Sequence, residues 1–144
     1  MILDDEAATA RLGARLAGLL RAGDVVTLSG PLGAGKTALA RAVLHAAGHR
    51  GEVPSPTFAI VQPYDELEPP IWHCDLYRLD DAELEELGLD TILADGALLV
   101  EWPERAGEGA WPEALHLRLA VREDGRRALT WEVSAAWEGR WPPA

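Results

Sequence analysis

With 144 residues, a formal net charge of −11, 48% hydrophobic residues and a single cysteine, the chain is long enough to bury one core and too short for two, so a single domain over residues 1–144 is expected. No apolar run approaches the roughly 18 residues of a membrane helix, residues 1–6 lack the basic and apolar stretches of an export signal, and Cys74 has no partner for an internal disulfide, which together point to a cytoplasmic protein. The acidic balance repels a nucleic-acid backbone and no Lys/Arg stripe offsets it, so direct nucleic-acid binding is not expected, whereas docking on a basic patch of another protein is compatible with it.

Taken in chain order, residues 6–21 read as an opening helix, because Ala7, Leu12, Leu16, Leu19 and Leu20 recur near helical spacing before Gly23 stops it. Asp24-Val25-Val26-Thr27-Leu28-Ser29 is a short β-branched run suited to a buried strand. A Gly-rich turn follows, then a helical stretch over residues 37–47. Residues 48–56, rich in Gly, Pro and Ser, form a loop. Residues 57–61 and 71–77 read as strands, with 63–70 as the turn between them. Asp80 caps a helix that runs to Leu93, with Leu84, Leu87 and Ile92 as its apolar face and its carboxylates solvated. Residues 96–102 form another buried strand, ended by Pro103. Residues 115–119 and 129–133 alternate apolar and polar positions and pair as a hairpin about Asp124-Gly125. The tail from about residue 135 to 144, with Trp137 and Trp141, carries no clear pattern. The fold expected is α/β: a mixed sheet with parallel core strands and antiparallel C-terminal strands, helices on both faces.

The chemistry concentrates in Gly30-Pro31-Leu32-Gly33-Ala34-Gly35-Lys36-Thr37, which matches the pattern G-x-x-x-x-G-K-[ST] and lies between an apolar strand and a helix, as a phosphate-binding loop requires. Its glycines let successive N–H groups point at phosphate oxygens, and the helix start adds the positive end of its dipole. Lys36 supplies a charge between the β- and γ-phosphates of a nucleotide such as ATP, and Thr37 a hydroxyl for Mg²⁺.

Hydrolysis also needs a carboxylate for the metal and a group that positions water. Asp75 and Glu101 each end an apolar strand, and in an open parallel sheet such ends face the phosphate crevice. Asp75 is expected to hold Thr37 or a metal-bound water, and Glu101 to contact Mg²⁺ or orient the attacking water. In Ser55-Pro56-Thr57-Phe58, Thr57 is the candidate γ-phosphate sensor, an ordinary loop-to-strand junction being the other reading. His73 reads as structural, and Trp102 as a core aromatic.

The phosphate loop, Ser55-Pro56-Thr57-Phe58, His73-Cys74-Asp75-Leu76-Tyr77-Arg78-Leu79 and Glu101-Trp102-Pro103 together resemble the bacterial TsaE family. That resemblance implies a P-loop ATPase needed for threonylcarbamoyladenosine at position 37 of tRNA, acting on the TsaD–TsaB transfer pair. It implies ATP on Gly33, Ala34, Gly35, Lys36, Thr37 and Ala38, with Mg²⁺ on Thr37 and Glu101. Asp75 would be the acid of Walker-B type, also near the metal, and Thr57 would belong to a switch segment. It further implies that Trp102 matters to activity, that Arg126 reaches the nucleotide from the late hairpin, and that Glu6 and Thr9 border the adenosine. Pro31 departs from the family pattern, in which this position is often acidic. A small-molecule or nucleotide kinase on the same scaffold is the alternative function, although residues 79–93 offer no clustered Arg for a cationic lid. A GTP switch lacks its N-K-x-D pattern, and a nucleotide-binding scaffold without catalysis is the third alternative.

Overall fold

The computed structural model describes residues 1–53, 61–77, 91, 93–107 and 110–142. Its elements run β1 (Ile2–Leu3), α1 (Glu6–Leu19), β2 (Val25–Ser29), α2 (Lys36–Ala46), β3 (Val61–Tyr64), β4 (Ile71–Asp75), β5 (Ala97–Glu101), β6 (Leu115–Val121) and β7 (Arg127–Val133), with 3-10 turns at Pro103–Ala106 and Ala135–Trp137. The strands form one sheet in the order β1-β7-β6-β2-β5-β4-β3. β2 runs parallel to both β5 and β6, and β5 parallel to β4, while β3, β7 and β1 pair antiparallel with their neighbours. The α/β class and the mixed sheet are therefore as expected. Of the expected helix over residues 80–93, only Thr91 and Leu93 are described, both helical. The segment Ser55-Pro56-Thr57-Phe58 lies outside the described residues, as do Arg78 and Leu79.

Because successive strand residues point to opposite faces, each central strand serves two packing layers. Val26 and Leu28 of β2, Ala97 and Leu99 of β5, and Leu117 and Leu119 of β6 join α1 and α2 in the larger cluster. Val25, Leu98, Val100 and Cys74 face the other way, into a smaller cluster with Leu93, Ala106 and Trp111 around it. Cys74 is fully buried there, and burial pushes its thiol up to about 12, which suits a small apolar filler.

Helix α1 begins at Asp5, whose carboxylate accepts the Ala8 N–H at 2.8 Å. It buries Ala8, Leu12, Gly13 and Leu16, so the apolar stripe starts at Ala8 and not at Ala7, which is exposed. The helix stops at Leu19, short of the expected Arg21, because the Asp24 carboxylate takes the Arg21 N–H at 2.7 Å and closes a turn. Gly13 marks where α1 meets α2: a Cβ there would lie 2.5 Å from the Ala42 Cβ, so only glycine permits this approach.

Three further details differ from expectation. Pro63 lies inside β3 and not in a turn, which is tolerated because β3 is an edge strand with one unpaired side. β4 ends at Asp75 and not at Tyr77, since the Asp75 side chain accepts the Tyr77 N–H at 2.9 Å and turns the chain away. The two-residue β1, too short to show a period, pairs with β7.

The tail, unreadable in sequence, is part of the core. Trp137 is fully buried and Trp141 nearly so. Arg140 donates to both Asp24 carboxylate oxygens, at 2.7 and 2.9 Å, and to the Leu19 carbonyl at 3.0 Å, with its guanidinium 4.1 Å from the Trp137 ring centroid. These bonds tie the tail to the exit of α1. Trp137→Ala is therefore expected to cost about 3–5 kcal/mol, measured as a lowered midpoint in urea; an unchanged midpoint would show the tail to be dispensable.

Candidate functional site

The loop between β2 and α2 turns over the ends of the parallel strands. Gly30 begins it at φ 138°, and a Cβ at this position would lie 2.2 Å from the Leu119 carbonyl oxygen of β6. No other residue fits so close to a neighbouring backbone. The loop ends at Gly35, which caps α2 in the left-handed region, with no side chain bonding the helix's first amides. Those amides and the helix dipole form the anion-attracting end expected of this motif.

Lys36 is buried at the first position of α2. Its ammonium donates to the carbonyls of Gly30 at 2.5 Å and Pro31 at 3.0 Å, and lies 4.0 Å from the Trp102 ring centroid. Burial holds this ammonium below the ordinary lysine value, opposed by the nearby carboxylates of Glu101, Glu104 and Asp75. Trp102 has φ 58° and ψ 50° immediately before Pro103, a left-handed conformation that is rare and strained for a bulky residue. It sets the indole between Lys36 and the ring of Tyr77, 4.7 Å away. Trp102 is thus only partly buried and serves as a wall of the site, not solely as core.

Glu101 ends β5 and is almost fully buried. One carboxylate oxygen accepts the Thr37 hydroxyl at 2.8 Å, and the other lies 2.6 Å from Nε2 of His73. Asp75 stands beside Glu101 in the β4–β5 register. Burial pushes its carboxyl above the usual range, and the amide of Tyr77 draws it back. The Thr37 hydroxyl therefore goes to Glu101, and the hold on Thr37 expected of Asp75 is not made.

The structure thus gathers Gly33, Ala34, Gly35, Lys36, Thr37 and Ala38, Asp75, Glu101 and Trp102 at the carboxyl ends of the parallel strands β2, β5 and β4. The opening segment is joined to the late hairpin. Arg126 pairs with Asp124 at 2.7 Å and with Asp4 at 3.0 Å, two residues before Glu6 and five before Thr9. Its neighbour Arg127 is the one whose side chain reaches the loop: a Cβ on Gly35 would lie 3.5 Å from its Nε. Neither Arg127 nor a supporting part for His73 is marked by a local sequence pattern, because each lies beside a residue far away along the chain. Thr57 lies outside the described residues, and among those described no three His, Cys, Asp or Glu form a metal cage.

Residues 3–129 match the profile of the family described as threonylcarbamoyl adenosine biosynthesis protein TsaE. The chain is 50% identical over 117 residues to the tRNA threonylcarbamoyladenosine biosynthesis protein TsaE of Streptomyces coelicolor, covering 78% of this chain and 76% of that one. It is 42% identical over 134 residues to the protein of the same name from Mycobacterium tuberculosis, covering 85% and 80%. Among solved structures it is similar to Bacillus subtilis YdiB, with a TM-score of 0.78 and 30% identity over 91% of this chain and 82% of that one.

After α2 the chain is pinned by side chains. Arg41 donates to the Val53 carbonyl at 3.0 Å, and His49 lies 2.7 Å from the Glu66 carboxylate and 3.2 Å from the Glu52 carbonyl. The Glu66 hydrogen bond holds His49 above its ordinary 6.5, and the same bond holds Glu66 below 4.5. The His49 contribution to stability is complete below 6.5 and is lost as pH rises through its raised pKa; that of Glu66 is present above 4.5 and is lost as pH falls through its lowered pKa. The difference in Tm between the parent and Glu66→Gln is accordingly expected to peak between pH 4.5 and 6.5. A difference that is flat with pH would contradict the pairing.

Proposed function

Since the chain belongs to the TsaE family of threonylcarbamoyl adenosine biosynthesis proteins, we propose that it binds ATP with Mg²⁺ at the loop over residues 30–37, hydrolyses it, and couples that turnover to threonylcarbamoyladenosine formation at position 37 of tRNA by acting on the TsaD–TsaB pair. The observation that carries this reading is the juxtaposition, at one helix N-terminus, of the Lys36 ammonium and the Thr37–Glu101 hydrogen bond.

The residues fit the groups they are asked to hold. Thr37, Glu101 and Asp75 offer only hard oxygen donors, the type Mg²⁺ prefers, and Mg²⁺ commonly takes one or two carboxylates along with phosphate oxygens and water. When bound, the cation supplies charge neutralisation to the phosphates. This chain's own residues do the rest. The amides at the start of α2 orient the phosphates, and Lys36 exchanges its loop carbonyls for phosphate oxygens. The Trp102 ring, with Tyr77 packed against it, shields the ammonium from water on one side, which strengthens its attraction for the incoming anion. Asp75, next to Glu101 and less deeply buried, would hold a water.

The acidic surface favours a protein partner over direct tRNA contact. Calorimetry and phosphate release test the reading. Lys36→Ala is expected to weaken ATP binding at least tenfold, about the worth of one charged hydrogen bond. Glu101→Ala is expected to lower turnover by about 100-fold, the scale on which losing one preorganised electrostatic partner acts. Adding TsaD and TsaB is expected to raise turnover by the parent. Absence of any heat with ATP and Mg²⁺, or phosphate appearing on an added acceptor and not in water, would overturn it.

A further inference from the structure

Resting on the reading of Glu101 as the carboxylate that faces Mg²⁺, we propose that His73 is a positioning residue for it, fixing the carboxylate so that Thr37 is free to serve the cation.

His73 is fully buried in β4, and Glu101 is 2% exposed in β5. The two strands are parallel, with His73 opposite Leu99 and Asp75 opposite Glu101. Strand alternation places all three polar side chains on the face that carries α2. Nε2 of His73 lies 2.6 Å from the Glu101 oxygen that Thr37 does not use. A carboxylate oxygen accepts, so Nε2 carries the hydrogen and donates.

The opposite ring nitrogen argues that packing alone does not explain this side chain. Nδ1 is buried with no hydrogen-bond partner among the described residues. An unpaired buried polar atom is unfavourable, and an apolar side chain of similar size would avoid it. What the imidazole offers that such a side chain would lack is its bond to Glu101.

That bond matters because the other anchor of Glu101 has a second duty. Its remaining oxygen is held by Thr37, whose hydroxyl oxygen is also the donor expected to face the cation. A glutamate held only by Thr37 would shift whenever Thr37 shifts. Held by His73 as well, its carboxylate keeps one orientation throughout, as outer partners do for metal-ligating groups.

The test compares the parent with His73→Gln, whose amide can donate to the same oxygen, and His73→Met, of similar bulk without a donor. Calorimetry measures ATP affinity in EDTA and in Mg²⁺, and phosphate release is titrated with Mg²⁺. His73→Met is expected to keep the parent's affinity for ATP in EDTA but to need about 10–100-fold more Mg²⁺ for half-maximal tightening of ATP binding and for turnover. His73→Gln is expected to recover most of the parent's Mg²⁺ dependence. A His73→Met protein with the parent's Mg²⁺ dependence, or a His73→Gln protein as impaired as His73→Met, overturns the proposal while leaving the reading of Glu101 intact. A parent whose ATP affinity ignores Mg²⁺ overturns that reading and the proposal with it.

Discussion

The Glu101 carboxylate, gripped by the Thr37 hydroxyl on one oxygen and by His73 on the other, is the contact through which α2, β4 and β5 share one position. A nearly inaccessible carboxylate is tolerable only when its oxygens are satisfied. The parallel register sets Glu101 beside Leu28 of β2 and Asp75 of β4. The first turn of α2 must then lie where Thr37 can reach that oxygen. The loop joining β2 to α2 has its far end determined by this requirement.

Its near end is determined by backbone contact. Gly30 passes so close to the Leu119 carbonyl that a side chain has no room, and the loop between these two fixed ends curls around the Lys36 ammonium. Lys36 is held by two carbonyls and an aromatic face, all neutral, so it keeps its charge available for an anion. Trp102 supplies that face only by adopting a strained left-handed backbone between Glu101 and Pro103. The strain falls where the site needs its wall, a common place for it in functional loops.

Stability and chemistry are separated in space. The Asp24–Arg140 pair and Trp137 close the molecule at the exit of α1, at the other end of β2 from the phosphate loop. The helix packing around Gly13 and Ala42 joins the two ends, since α1 leans on the same helix that carries Lys36 and Thr37.

The loop over residues 30–37, the strand before it, the helix after it and the acidic strand ends at Asp75 and Glu101 were all legible in the sequence. Each is written in neighbouring residues: glycine spacing sets backbone freedom, and β-branched runs and helical periods set local conformation. The β6–β7 hairpin was legible for the same reason, through Asp124-Gly125 and strict alternation. Tertiary structure alone decided which carboxylate takes Thr37, 64 residues away along the chain, that His73 supports it, and that Arg127 and not Arg126 lies over Gly35. It likewise decided that Pro63 sits in an edge strand and that Trp137 belongs to the core. These depend on strand order, register and packing between distant segments, and no local pattern of residue types encodes which strand will lie beside which.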